Sequence, residues 1–387
     1  MKILQSFFSI KNSNHHKVIT ILGIKIKLKN KLKVVENKLI TIEEKLNNLI
    51  TIKEELNNLN YSNENVKNLC LDIIRKIYDI VYFNDRSLKG LPDFDKNFIE
   101  KFKNTNIQYL YIDLIKNLDQ ESIEIVNLIL SRVQLWNNGI RRLPVTDREL
   151  LGLKKYACEF ESNIVKLSDN CWAFNGYYLP ENKFISTTFL DEHFIYKLKN
   201  LDKNKNIIDA GAYIGDSAII LSKYTNKNVY AFEPVTNIYN KMNKTIELNS
   251  LSNVIPVQCG LGEKKETVEI SLNDASSTCL STSDENVTKE LINIISIDDF
   301  VKEHNNLEIG LIKADIEGLE LKMLKGAINT IKQQKPALLI SIYHSFDDFF
   351  NIKKEIESWD LGYKFQIAKP DEYSFYCDTT LIAEVKI

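Results

Sequence analysis

The chain of 387 residues is 44% hydrophobic and 26% charged, an ordinary soluble composition with room for two or three domains that each bury a core. Fifty basic side chains against 52 acidic ones leave a formal charge of −2, which excludes a global field drawing the protein to nucleic acid or anionic lipid. No run of about 18 apolar residues predicts a membrane span, and the six scattered cysteines, with no CxxC pair, read as thiols of a reducing compartment. The opening MKILQSFFSIKNSNHH has neither an adequate apolar core nor a small-residue cleavage site, so the expected location is cytoplasmic.

Residues 1–35 form a basic segment in which Leu22, Ile24, Ile26 and Leu28 alternate with lysines between the last three. Period-two alternation around Gly23 predicts a short hairpin or edge strand, either simply solvated or serving as a weak docking patch for an acidic partner or a membrane surface. In residues 36–60, Leu39–Asn48 (LITIEEKLNN) recurs almost unchanged as Leu49–Asn58 (LITIKEELNN). Apolar positions from Leu39 to Leu59 follow steps of three and four, a coiled-coil-like helical seam that suits pairing of two subunits as well as packing within one. A homo-oligomer is expected on that ground. Residues 61–150 carry three helical patterns, Val66–Val81, Phe94–Ile115 with a break near Asn104, and Glu121–Trp136, read as a helical domain without catalytic spacing.

Residues 151–200 become rich in aromatic and β-branched side chains, with turn signals at Ser168-Asp169-Asn170, Asn175-Gly176 and Pro180-Glu181-Asn182. This is a strand-rich lead-in, and Asp191–Lys199 adds a short helix. From residue 201 to 387 strands and helices alternate: KNIIDA, a glycine turn and helix, NVYAFEP, then Thr236–Asn249 as a helix and Val254–Cys259 and Thr267–Leu272 as strands. A mobile loop is expected over Ala275–Lys289. The Ile297–His304 helix, the Ile309–Ala314 strand, a Leu319–Gln333 helix, the Ala337–Tyr343 strand, the Phe346–Ser358 helix and closing strands near Phe365 and Leu381–Val385 follow. Such alternation gives an α/β class with a Rossmann-like, doubly wound parallel sheet.

Ligands of such sheets sit where the first strand feeds the first helix, because glycines there let backbone N–H groups approach closely. The turn here reads D-x-G-x-x-x-G, with Asp209, Gly211 and Gly215, and Tyr213 stands between the glycines. The middle glycine that a dinucleotide pyrophosphate requires is missing, which suits a mononucleoside such as S-adenosylmethionine. Glu233, followed by Pro234 at the tip of the second strand, is placed to accept both hydroxyls of a ribose.

Asp315 and Glu317 stand just past another apolar strand, and His344 stands past the next. Glu317 and Glu320 also fit a role in starting the helix after Gly318. Two roles are open for His344: a neutral imidazole acting as general base toward an acceptor hydroxyl, or a ligand, with Asp315 and Glu317, of a divalent metal ion that lowers the hydroxyl's pKa. Spacing alone does not choose between them.

NIIDAGAYIGDSAIILSKY, VYAFEP, ISIDDF and LIKADIEGLELKMLKGA, in this order, resemble the FkbM family of S-adenosylmethionine-dependent methyltransferases over residues 200–387. The resemblance implies a class I methyltransferase fold. It places Asp209, Gly211 and Gly215 at the methionine end of the cofactor and Glu233 on the ribose, while Tyr213 stands where the family more often has Asn. It also implies methylation of hydroxyls of sugars and secondary metabolites. The opening FFSIKNSNHHKVITILGIKIKLK resembles segments of proteins from bacterial capsule and surface-glycan loci, which points to a sugar or nucleotide-sugar acceptor, such as a nucleotide-linked heptose. Alternatives from other classes are an NAD-dependent sugar dehydrogenase or epimerase and a non-catalytic assembly protein using the Leu39–Leu59 helix.

Overall fold

The computed structural model describes residues 8–13, 16–21, 24–29, 93–138, 146–272, 277–278, 288–371 and 376–385. The repeat helix at Leu39–Leu59 and the Val66–Val81 helix lie outside them. Within an N-terminal unit, β1 (Phe8–Ser13), β2 (His16–Ile21) and β3 (Ile24–Lys29) form an antiparallel meander. The expected hairpin about Gly23 is β2 with β3, in register Ile21 to Ile24. Strand β1, FSIKNS, lacks an apolar alternation long enough to announce itself.

The described part of the second unit opens with α1 (Asp93–Asn104), α2 (Gln108–Ile115) and α3 (Gln120–Asn137), so the break expected near Asn104 is present. Asp119 caps α3 by accepting the Ser122 N–H at 2.9 Å, satisfying one of the donors a helix start leaves open. After α4 (Asp147–Lys155) come the strands β4 (Val165–Ser168), β5 (Cys171–Phe174) and β6 (Tyr177–Leu179), an antiparallel sheet with turns at the predicted places. The short α5 (Ser186–Phe189) leads into the main sheet, followed not by the expected Asp191–Lys199 helix but by a kinked turn over Glu192–Lys197 that is left-handed at its first three residues.

That sheet has seven strands in the order β16-β17-β15-β14-β7-β8-β9. Its members are β7 (Asn206–Ala210), β8 (Val229–Phe232), β9 (Val254–Val257), β14 (Ile309–Ala314), β15 (Ala337–Ser341), β16 (Tyr363–Ala368) and β17 (Thr380–Val385). Every residue of β7, β14 and β15 is buried, as their unbroken apolar runs require of central parallel strands. Only β17 runs against its neighbours β15 and β16. The chain leaves β7 toward β8 and β9, then returns to lay β14 on the other side of β7, so the order reverses between β7 and β14. This is the mixed, doubly wound sheet of a class I methyltransferase, and its crevice opens at the carboxyl ends of those two strands.

Between β9 and β14 a second sheet, ordered β10-β13-β11-β12, is built from β10 (Gly260–Leu261), β11 (Glu266–Leu272), β12 (Ser277–Thr278) and β13 (Thr288–Ile295). The loop expected over Ala275–Lys289 therefore contains β12 and the start of β13, and its remainder lies outside the described residues. The helices of the sheet domain are α6 (Asp216–Leu221), α7 (Thr236–Leu248), α8 (Ile297–Glu303), α9 (Glu320–Lys325), α10 (Ile328–Gln334) and α11 (Phe346–Ser358). The single Leu319–Gln333 helix expected from periodicity is α9 and α10, divided at Gly326. A Cβ there would meet the Gly262 carbonyl oxygen at 2.1 Å, so close backbone approach requires glycine at this position.

The helices α1 to α3 do not stand apart from the sheet domain. Phe98 lies 5.5 Å from the Phe346 ring, 5.6 Å from Phe349 and 4.8 Å from Tyr376 by centroids. Val126, Ile129 and Val133 of α3 belong to the same buried cluster as Ile208, Ile312 and Leu338. A buried ionic trio closes the far side, where Arg132 of α3 pairs with Glu149 of α4 through contacts of 2.7 and 2.5 Å and Lys369 approaches Glu149 at 3.3 Å. No helix among the described residues is long and apolar enough to cross a membrane.

Candidate active site

At the end of β7 the chain turns through Gly211 (φ +76), Tyr213 (φ +49) and Gly215 (φ +88) into α6. Left-handed backbone favours glycine, and Gly211 is required for a second reason. A Cβ on it would lie 1.9 Å from the carbonyl oxygen of Asp315, so only glycine lets the tips of β7 and β14 meet. The Ala212 N–H donates to Phe232 O at 3.0 Å, tying the turn to β8 as well.

Asp209 is fully buried beneath this turn. Its Oδ2 accepts from Ser217 Oγ at 2.6 Å and its Oδ1 faces Lys313 Nζ at 3.1 Å. Lys313 also donates to Gly211 O at 2.9 Å. Burial alone would push the ammonium toward neutrality, but Asp209, Asp315 and Asp216 around it hold Lys313 above its usual pKa. Asp209 thus braces the glycine turn from below rather than lining the cavity above it.

That cavity measures about 390 Å³ and covers the ends of β7, β8, β14 and β15. One end is apolar, with Ile238, Leu261, Ile270, Ile292 and Ile294 beside Glu233 and Pro234. Glu233 is only 6% exposed and accepts the Val235 N–H at 2.8 Å. Burial pushes its carboxyl up to about 7 despite the backbone donors that favour the ionised form. Gly211, Tyr213, Glu233 and Pro234 all line this space, whereas Gly215 stands behind it, packed against Met242 and Thr245.

The other end is polar, and Asp315, Glu317, Ser341, Tyr343, Asp378 and Thr380 face it. Asp315 accepts from Tyr343 OH at 3.0 Å and lies 3.2 Å from His344 Nε2. Burial would raise its carboxyl, yet His344 and Lys313 win and hold it below its usual value, so it is ionised at neutral pH. Glu317 is more exposed, in left-handed backbone (φ +57), with its carboxylate 3.9 Å from His344 Nε2. Glu320 accepts the Ile316 N–H at 2.8 Å, the helix-start role read for it in the sequence, and also faces His344 Nδ1 at 3.0 Å.

His344 differs from the neutral general base considered above. It lies behind the cavity with both ring nitrogens turned to carboxylates. Burial would lower its pKa, but Glu320, Asp315 and Glu317 outweigh that and lift it to about 10. With no cation at the site, a ring protonated at each nitrogen has no lone pair to offer a substrate.

Three residues of the polar end were not singled out in the sequence. Asp216, the first residue of α6, is buried and accepts from Thr188 Oγ1 at 3.1 Å. Asp378, before β17, accepts from Thr187 Oγ1 at 2.7 Å. His193 lies 3.1 Å from Thr188 Oγ1. Asp216, flanking Gly215 in the turn motif, carried a local signal; the other two reach the cavity only through tertiary packing.

The family model of the methyltransferase FkbM domain matches residues 209–366. Methyltransferase sdnD of Sordaria araneosa is 30% identical over 179 residues, which span 38% of this chain and 69% of that protein. The chain belongs to the FkbM methyltransferase family. Methyltransferase 1 of Beauveria bassiana is 25% identical over 213 residues, 47% of this chain and 85% of that protein. The hexuronic acid methyltransferase AglP of Haloferax volcanii is 28% identical over 152 residues, 39% of this chain and 61% of that protein. The FkbM match opens at Asp209 and closes inside β16, so it contains the glycine turn, Glu233, Asp315 and His344 but neither the helices α1 to α4 nor β17.

Proposed function

We propose that the cavity binds S-adenosylmethionine and that the FkbM domain methylates a hydroxyl of a sugar, nucleotide-linked and destined for a surface polysaccharide. Membership of a methyltransferase family leaves the dehydrogenase and epimerase alternative without support. The observation that carries the cofactor reading is Glu233: a nearly inaccessible carboxylate at the tip of β8, under-stabilised as an anion, next to a turn that only glycine can make. Two ribose hydroxyls donating to it would supply the missing stabilisation. The apolar end beyond it suits a flat, uncharged base. The sugar reading is supported by the polar end, rich in hydrogen-bond acceptors, and by the similarity to a hexuronic acid methyltransferase; the polysaccharide reading rests on the basic opening segment.

The cofactor, when bound, supplies an electrophilic methyl group on a sulfonium. The chain's residues must orient the acceptor, exclude water and take one proton from its hydroxyl. Asp315, ionised and facing the polar end, is the proton acceptor. His344, Tyr343 and Lys313 hold its charge and fix its direction, and Asp209 fixes Lys313 in turn.

Replacing Glu233 with Ala removes a charged acceptor for two hydroxyls, a loss of roughly 1.5 to 3 kcal/mol, or about ten- to 150-fold in affinity. Calorimetric titration with S-adenosylmethionine reads this directly, and an unchanged Kd removes the ribose assignment. The pH dependence follows with its sign. Hydroxyl donors bind the ionised form, so binding must drive off the proton that Glu233 holds below about pH 7. Affinity is therefore full above that pH and falls beneath it, the apparent Kd rising about tenfold from about pH 8 to about pH 6. In Glu233→Gln that slope should vanish.

One arrangement favours a second reading of the polar end. Among the described residues, Asp315, Glu320 and His344 bring one ligand atom each within 4.8 Å of one another, while Glu317, named for this role from the sequence, stands 3.9 Å from His344 Nε2 and outside that set. A divalent cation held by Asp315 and His344 would supply Lewis-acid activation of the hydroxyl. Turnover that survives exhaustive chelation removes this reading and leaves Asp315 as the base.

A further inference from the structure

We propose that His193 is a substrate-contacting residue, its Nδ1 accepting a hydrogen bond from a sugar hydroxyl adjacent to the one that Asp315 deprotonates. The proposal deepens the methyltransferase reading and rests on it. Three observations support it.

First, Glu192, His193 and Phe194 are successive non-glycine residues in left-handed backbone, with φ of 47, 51 and 62. Such residues are individually costly and persist where packing over-determines them, often beside functional sites. Here Phe194 is 3% exposed, its N–H donates to Asp191 O at 2.7 Å, and the carboxylate of Glu192 accepts from Tyr224 OH. The strained segment places His193 on the cavity wall.

Second, the tautomer follows from its neighbour. Thr188 Oγ1 has one proton and two listeners, Asp216 Oδ2 at 3.1 Å and His193 Nε2 at 3.1 Å. Burial raises the Asp216 carboxyl to about 6, so at neutral pH it is ionised and can only accept; the hydroxyl then donates to Asp216 and accepts from His193 Nε2–H. The neutral ring is then left with its lone pair on Nδ1. Third, the imidazole stays neutral, because burial and the Lys313 ammonium lower its pKa to about 3 while Asp315 opposes them only in part. A neutral acceptor beside an anionic one suits two neighbouring hydroxyls of one sugar ring.

Two measurements on the full chain test this. In ¹⁵N-histidine NMR, with the His193 signals assigned by their loss in His193→Gly, the ring should be neutral with its proton on Nε2; a proton on Nδ1, or a charged ring at neutral pH, overturns the proposal. Glycine adopts this backbone freely, so His193→Gly should melt within a few degrees of the parent and bind S-adenosylmethionine within about twofold. Methyl transfer from labelled cofactor to UDP-glucuronic acid, glucuronic acid and glucose is then compared. The acceptor KM should rise ten- to hundredfold in the variant, with partial rescue by added imidazole. An unchanged KM overturns the His193 assignment alone, whereas a parent that binds no S-adenosylmethionine overturns the methyltransferase reading itself.

Discussion

An Asp315→Asn protein is expected to bind S-adenosylmethionine as the parent does and to turn over about 10² to 10⁴ times more slowly. That is the range lost when a positioned proton acceptor is removed. Asparagine keeps the oxygen that receives Tyr343 OH at 3.0 Å, so the tip of β14 should hold its shape while losing its charge. The loss should appear in kcat at saturating acceptor and not in the calorimetric cofactor affinity. A fall of less than about threefold would sink the assignment of Asp315 as base. His344→Gln should weaken turnover less, since His344 acts only through Asp315 and does not reach the cavity.

The second large effect concerns stability. Arg132 and Glu149 are 1% and 3% exposed at their side chains, and burying charges so completely is tolerable only while they remain paired. Arg132→Ala leaves the Glu149 carboxylate with Lys369 as its remaining basic partner and should cost about 3 to 5 kcal/mol, read as a lower Tm and a lower denaturant midpoint. Burial alone would raise the Glu149 carboxyl, but Arg132, Lys369 and the Thr146 N–H bring it from 4.5 down to about 2. A depressed carboxyl contributes stability that is complete above its unfolded value and is lost as pH falls from about 4.5 toward 2. The parent should therefore weaken across that acidic window more steeply than Glu149→Gln does. A cost below about 1 kcal/mol for Arg132→Ala would show the trio to be solvated rather than sealed.

The sheet domain was legible because its strands are short apolar runs closed by glycine, proline or acid. Ile309–Ala314 and Phe346–Ser358 come out with the bounds read from the pattern, and Asp315 and Glu233 stand at strand tips as the alternation required. What local pattern could not supply is contact between distant segments. Nothing around His193 announces that a strained turn carries it to the cavity, and nothing in DFDKNFIEKFKN says that Phe98 will meet Tyr376. The protonation of His344 was equally hidden, because three carboxylates converge on it only after β14 and β15 are laid side by side. Gly326 shows the same limit from the other direction. Helical periodicity runs through it undisturbed, and only the fold brings the Gly262 carbonyl to the place where a side chain would stand.

The seating of Phe98, Val126, Ile129 and Val133 against the core of the sheet bears on how the protein can be cut. A fragment trimmed to residues 209–366 would strip the apolar cover from Phe349 and its neighbours and take away β17, leaving β15 with a bare backbone edge. Such a fragment should self-associate rather than stay in solution. Any shortened version meant for crystals or calorimetry has to begin upstream of Asp93 and run through Val385.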